Sequence, residues 1–287
     1  MYPYIHVGPI FVSSYKIAML LAAVVCWIVF ILTEERFWQA KGTSARIWVF
    51  TKLTLQCIIC MLIIIQGACY FHYIFDVIPE AELRRLTFRD ILLTNPFKTV
   101  KVIYGAIFFA PIAVFFYTLG DVKNKFYKTL NQKTFIFAIG VGIIRLGCFF
   151  KGCCFGIRSD IFGIRFPSFS SVSFVHRQEE LTHGFFPHPS LPVIPTQIIS
   201  AIAAFILAFY AWRAAKQQKE HIFFPVLLYY AIFRFLIEFI RDDPSCAFWW
   251  ILSTSQWMSI FIFLGFAFYF GIKWALMSKE NSKHTAN

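Results

Sequence analysis

Long apolar runs alternate with short basic ones along this chain, and the apolar runs are long enough to cross a membrane. A spanning helix needs about 20 apolar residues, and the sequence offers about seven such stretches. They lie near residues 15–33, 48–71, 102–119, 134–153, 196–213, 222–240 and 251–275. The third and fourth depart from the pattern, being rich in glycine and interrupted by Pro111 and Arg145. The predicted fold is an all-α polytopic membrane protein with a small extracytoplasmic cap containing short strands. No internal repeat or linker divides the chain, so residues 1–287 read as a single integral membrane domain.

The polar intervals predict an orientation. Loops after spans one, three and five carry Arg36, Lys41, Arg46; Lys123, Lys125, Lys128, Lys133; and Arg213, Lys216, Lys219. The segment before Tyr15 has no Lys or Arg, and the loop after span six has only Arg241. By the positive-inside rule the N-terminus is expected outside and the C-terminus in the cytoplasm. Of the two long outer loops, 73–101 contains EAELRRLTFRDILL, whose three- and four-residue apolar steps predict an interfacial amphipathic helix. The other, 157–194, contains SFSSVSF and several prolines and is expected to have strand character. The first span lacks a basic leader and a small-x-small cleavage site, so it reads as a retained helix.

Composition agrees with this picture: 59% of residues are hydrophobic and 15% are charged. The net charge of +12 is accounted for by basic cytoplasmic loops and anionic lipid headgroups. Nucleic-acid binding would need a basic face on a soluble domain, and the pattern contains none. Cys26, Cys57, Cys60 and Cys69 fall inside apolar runs, where cysteine acts as a small hydrophobe. Cys57 and Cys60 have CxxC spacing, but no βαβ context surrounds them.

Charged side chains inside apolar segments carry the candidate chemistry, because they are expensive there and usually functional. Arg145 lies deep in the fourth apolar segment. In LLYYAIFRFLIEFIRDD, Arg234, Glu238 and Arg241 stand at i, i+4 and i+7 and share one helix face. Taken alone, that trio is also what an ion-paired helix end looks like. Together with Arg145 it leaves positive charge in excess, which suits an anionic headgroup gripped by guanidinium forks. Tyr104, Tyr15, Gln197 and Gln256 are further polar positions in or beside the spans, with interfacial anchoring or helix-to-helix hydrogen bonding as the plainer roles. Cys148, Cys153 and Cys154 have C-x4-CC spacing. A zinc site would need His176, Glu179, His183 or His188 to fold back onto them, so metal or redox chemistry ranks behind lipid chemistry.

Several segments, in order, resemble the bacterial prolipoprotein diacylglyceryl transferase family. RLGCFFKGCCFG resembles that family's arginine–glycine signature, in the form of a diverged subset with GCxxxGCCYG. SDIFGIRFP, SLPVIPTQ, YAIFRFLIEFIRDD and STSQWMS resemble the segments that follow it, while IYGAIFF and SSYKIAML resemble those that precede it. The resemblance implies transfer of the diacylglyceryl group of phosphatidylglycerol to the lipobox cysteine of a prolipoprotein signal peptide. The product is a thioether, and glycerol 1-phosphate is released. This is the first step of lipoprotein maturation, at the bacterial cytoplasmic (inner) membrane. It implies Arg145, Arg234 and Tyr104 as catalytic residues. Arg145, Tyr15, Glu238, Gly147, Cys148, Gln197 and Gln256 are implied in substrate binding, with no metal, cofactor or nucleic acid.

The chain departs from the family's motifs at four places. Ile194 stands where the family has His, Ile199 and Ser200 where it has Tyr-Glu, and Cys69 where it has Arg. Two other readings therefore stand beside the transferase. One is a non-catalytic lipid-binding membrane relative of the same fold; the other is a thiol-redox or metal-handling membrane protein.

Overall fold

The computed structural model describes residues 3–7, 10–72, 103–119, 122–179, 189–242, 248–249 and 252–285. A hairpin of β1 (Tyr4–Val7) and β2 (Ile10–Ser13) leads into α1 (Ser14–Leu32), α2 (Glu35–Gln39) and α3 (Thr43–His72). Then come α4 (Ile103–Tyr117), α5 (Val122–Lys151), α6 (Ser171–Glu179), α7 (Thr196–Lys216) and α8 (Phe223–Ile237), which ends in a 3-10 turn, Glu238–Ile240. The two-residue strands β3 (Phe248–Trp249) and β4 (Leu252–Ser253) precede α9 (Thr254–Thr285). Six of these helices are long and apolar enough to cross a membrane, and α4 is a shorter apolar helix. The protein is an all-α multi-pass membrane protein. The amphipathic helix expected within 73–101 lies outside the described residues.

Helix α5 is the central element, packed most extensively against α7 and α1, while α3 pairs with α4 and α8 with α9. Small residues make these approaches possible. Ala201, Ala204, Ala208, Ala211 and Ala214 form a buried seam along α7, and small residues let backbones come close where lipid offers no hydrophobic drive. Gly147 on α5 serves α1 in the same way: a Cβ there would lie 2.4 Å from Cβ of Ala18. Asn131 on α5 ties down α8. Its Oδ1 accepts the backbone N–H groups of Ile222 and Phe223 at 2.7 and 2.9 Å, satisfying donors that open a helix without an internal partner.

At the C-terminal end of α5 the chain turns through a left-handed Gly152 (φ 75) and builds a cap over Phe155, Phe166, Val172 and Val193. Here three segments exchange backbone hydrogen bonds. Gly156 N–H donates to Ile194, Ile157 N–H to Ile240, and Asp242 N–H to Phe155. The strand expectation for SFSSVSF is corrected, because that segment enters α6. Ser170 Oγ accepts the N–H of Ser173, and Gly152 accepts that of Val172, so the first turn is capped. Among the described residues, β structure in the cap is limited to isolated bridges such as Ile164–Val193 and Gly156–Arg241.

Candidate active site

Two helices carry buried arginines to one region. Arg234 on α8 is 6% exposed and pairs with Glu238 one turn later. Its other terminal nitrogen donates to Ser255 Oγ at 2.6 Å, and Arg241 donates to the same Glu238 oxygen at 3.1 Å. Arg145 on α5 is 8% exposed and faces Tyr230, Cys154 and Cys148. Among the described residues, no carboxylate lies in ion-pair range of Arg145. Glu238 thus serves Arg234 and Arg241, and Arg145 has no carboxylate of its own among the described residues. Burying charge without compensation is costly, so the region is built to receive an anion.

Aromatic groups join the two arginines. The rings of Tyr104 and Tyr230 meet edge to face at 6.0 Å. Tyr104, 1% exposed, shares a 2.7 Å hydrogen bond with Ser259. Ser259 in turn donates to the carbonyl of Ser255, the residue that receives Arg234. Arg234 and Glu238 both act electrostatically on Tyr104. Sequence reasoning missed Tyr230, Ser255 and Ser259. Tyr230 stands four residues before Arg234 on the same helix face, a signal that was available. The serines belong to STSQWMS, but nothing in their spacing shows that they cross to α4 and α8.

The thiol cluster lies beside Arg145. Sγ atoms of Cys148, Cys153 and Cys154 are within 4.8 Å of one another. Cys154 adopts a left-handed φ of 59, and the Cys148 carbonyl accepts N–H groups from both Gly152 and Cys153. Cys154, beyond the helix end, is held well below the ordinary thiol range. Hydrogen bonds from Cys148 and then Cys153 contribute most, Arg241 and Arg145 add to them, and burial opposes. His176 is not part of the cluster: its Nδ1 accepts the N–H of Leu191, and its ring packs on Phe155.

Other sequence-predicted site residues surround this center in different capacities. Tyr15 on α1 faces the three cysteines and Arg145, and Lys151 lies over its ring. Gln197 is fully buried and donates to the Cys153 carbonyl at 2.8 Å, while its neighbor Thr196 donates to that of Cys154. Gln256 caps its own helix: its Oε1 accepts Ser253 N–H at 2.9 Å, and Ser253 Oγ accepts Gln256 N–H at 3.2 Å. That reciprocal pair is a capping box. Gly147 acts as the α1 contact described above. Ile194 contributes its backbone to the cap crossing, Ser200 bonds back to Thr196, Ile199 is partly exposed, and Cys69 is fully buried.

Below the arginines an apolar cavity of about 320 Å³ runs between α1, α3, α4, α5, α7 and α8. Along α5 its lining extends from Ile144 to Thr129, about 22 Å at 1.5 Å per residue. Tyr230 lines it beside Arg145, and Lys133 and Tyr117 line it at the far side. Arg145 thus lies beside an apolar chamber, next to its lining residues Ile144 and Tyr230.

A sequence model of the family described as prolipoprotein diacylglyceryl transferase matches residues 3–272. The chain belongs to the prolipoprotein diacylglyceryl transferase family. It is 32% identical over 179 residues to "Phosphatidylglycerol--prolipoprotein diacylglyceryl transferase 2" of Clostridium perfringens (strain 13 / Type A), covering 61% of this chain and 62% of the relative. The corresponding protein of Clostridium tetani (strain Massachusetts / E88) is 32% identical over 177 residues, covering 60% and 63%. That of Chloroherpeton thalassium is 26% identical over 191 residues. The matches span less than two thirds of the length of these diacylglyceryl transferase relatives.

Proposed function

We propose that this protein transfers the diacylglyceryl group of phosphatidylglycerol to the lipobox cysteine of a prolipoprotein signal peptide, releasing glycerol 1-phosphate. The observation that carries this reading is buried Arg145, with no carboxylate in ion-pair range among the described residues, beside an apolar cavity. Half of a bilayer's hydrocarbon core is about 15 Å thick, so a chamber of this length accommodates acyl chains while the headgroup stays at the arginines. The matching family and the names of the relatives point to the same donor and acceptor.

In this reading Arg145 and Arg234 hold the phosphate and stabilise the charge that grows on it as the carbon–oxygen bond breaks. Donors already in place are effective because they need no reorganisation during the step. Glu238 orients Arg234, with Arg241 bracing the pair. Tyr104, fixed by Ser259, stands beside the reacting carbon, and Tyr15 and Gln197 shape the region around the thiol cluster. This reading takes the N-terminus as outside and the C-terminus as cytoplasmic, in line with the positive-inside rule, with the arginine region toward the outer face of the bacterial inner membrane.

The test is a transfer assay with purified protein in phosphatidylglycerol liposomes and a lipobox peptide bearing one cysteine. Mass spectrometry should show the peptide gaining a diacylglyceryl group and the lipid losing it. No product, beside a control relative active under the same conditions, would replace the transferase with a lipid-binding member of the fold.

A further inference from the structure

Three sulfur atoms converge at the end of α5 in a way that apolar packing does not require. Cys26 and Cys60, by contrast, each lie singly against a backbone carbonyl of a neighboring helix. Side chains of adjacent residues normally diverge, and Cys153 and Cys154 reach Cys148 together because Cys154 takes a left-handed backbone that non-glycine residues avoid. Such a conformation persists only where its surroundings enforce it. Here the carbonyls of Cys153 and Cys154 are pinned by Gln197 and Thr196, and that of Cys148 by two amides. The sulfurs are therefore pre-positioned.

We propose that Cys148, Cys153 and Cys154 bind one zinc ion as thiolates, leaving a fourth position for the acceptor cysteine of the transfer reaction. The thiol-activating part of this inference rests on the activity proposed above. Zinc–sulfur bonds of about 2.3 Å in tetrahedral array separate the sulfurs by ~3.8 Å, so ligands already within 4.8 Å need to move little. Sulfur ligands select zinc over magnesium or calcium.

Zinc with three protein ligands and an open position is the catalytic pattern, and a thiol that coordinates zinc is deprotonated outright. The incoming thiol displaces zinc-bound hydroxide, and its proton leaves with that hydroxide as water. The bound sulfur then attacks the glyceryl carbon that carries the phosphate. A carbon–sulfur bond forms as the carbon–oxygen bond breaks, and the electron pair departs on the phosphate oxygen between Arg145 and Arg234. Thioether formation requires no oxidant or reductant.

The experiment measures zinc in the full-length protein, purified in detergent under reducing conditions with zinc present, and assays transfer on the same samples. One zinc per chain is expected, and Cys148→Ser, Cys153→Ser and Cys154→Ser should each weaken zinc binding at least about tenfold. Chelation should abolish transfer and zinc should restore it. Clearly substoichiometric zinc, or a disulfide mapped among the three cysteines, would overturn the site. Undiminished transfer after complete zinc removal would overturn the activating role while leaving the transferase reading intact. One zinc per chain with no transfer by any form would uphold the site and overturn its role in that reaction.

Discussion

The two ends of the cavity pose the same electrostatic problem and answer it differently. At one end Lys133 on α5 is fully engaged. It pairs with Glu34 at 2.9 Å and donates to the carbonyl and hydroxyl of Thr33 at 3.1 and 2.9 Å. Arg36, whose side chain is 50% exposed, joins Glu34 at 3.5 Å and donates to Tyr117 at 2.6 Å. Water and local partners satisfy that end. Twelve residues along the helix, about 18 Å away, Arg145 is buried with no carboxylate partner among the described residues. Lys133 and Arg36 thus face Glu34 and Glu35, whereas the buried Arg145 faces thiols and a tyrosine. Satisfied charge holds a structure together, whereas unmet buried charge awaits a ligand.

The largest predicted effect separates these ends. Arg145→Ala should reduce transfer by about 10²–10³-fold, the scale for losing one donor to a developing charge. Arg145→Lys should recover only part, since an ammonium lacks the planar fork. Lys133→Met should instead lower stability by about 1.5–3 kcal/mol through lost charged hydrogen bonds, with transfer per folded molecule nearly unchanged. Thermal unfolding in detergent beside the liposome assay reads both quantities. Equal loss of transfer in Lys133→Met and Arg145→Ala would erase the distinction.

Glu238→Gln comes next. It removes the anion from two buried arginines, a type of change worth about 3–5 kcal/mol, so the unfolding temperature should fall. Added anionic lipid should restore more stability to this variant than to the parent protein. Filling the cavity sharpens the contrast from the apolar side. Ala113→Phe should reduce transfer about tenfold with long-chain phosphatidylglycerol and little with a short-chain analogue, as shown by kinetics across chain lengths. The smallest effect belongs to the α9 cap. Ser253→Ala should cost about 0.5–2 kcal/mol of stability without changing chain-length preference.

Much of the fold was legible because hydropathy reports what lipid demands of a helix. The short third span was visible from Pro111, and the buried arginines as charges inside apolar runs. Helix boundaries were less legible. Helix α5 begins at Val122 and α9 runs to Thr285, well beyond their apolar portions, because KNKFYKTLNQK and SKENSK are polar but still helix-compatible. The serine–aromatic alternation of SFSSVSF suggested a strand, but the Ser170 cap and the Gly152 carbonyl start a helix there. At the site, residues one turn apart on a single helix could be grouped from spacing. The Tyr104–Ser259 bond, the Thr196 and Gln197 buttresses and the convergence of three sulfurs depend on which helices meet. They also depend on one left-handed cysteine, and spacing encodes neither. Gln256 is the instructive intermediate case: its capping-box pattern is present in STSQ, in a segment for which the resemblance implies substrate binding.

The most direct measurement of the central claim is lipid retention by native mass spectrometry of the protein released from phosphatidylglycerol-containing membranes. The account predicts one bound phosphatidylglycerol that a competing phosphatidylglycerol displaces and a diacylglycerol with the same chains does not, with Arg145→Ala binding both lipids alike. Equal competition by both lipids in the unmodified protein would contradict it, because recognition would then lie in the cavity alone and the arginines would have no part in it.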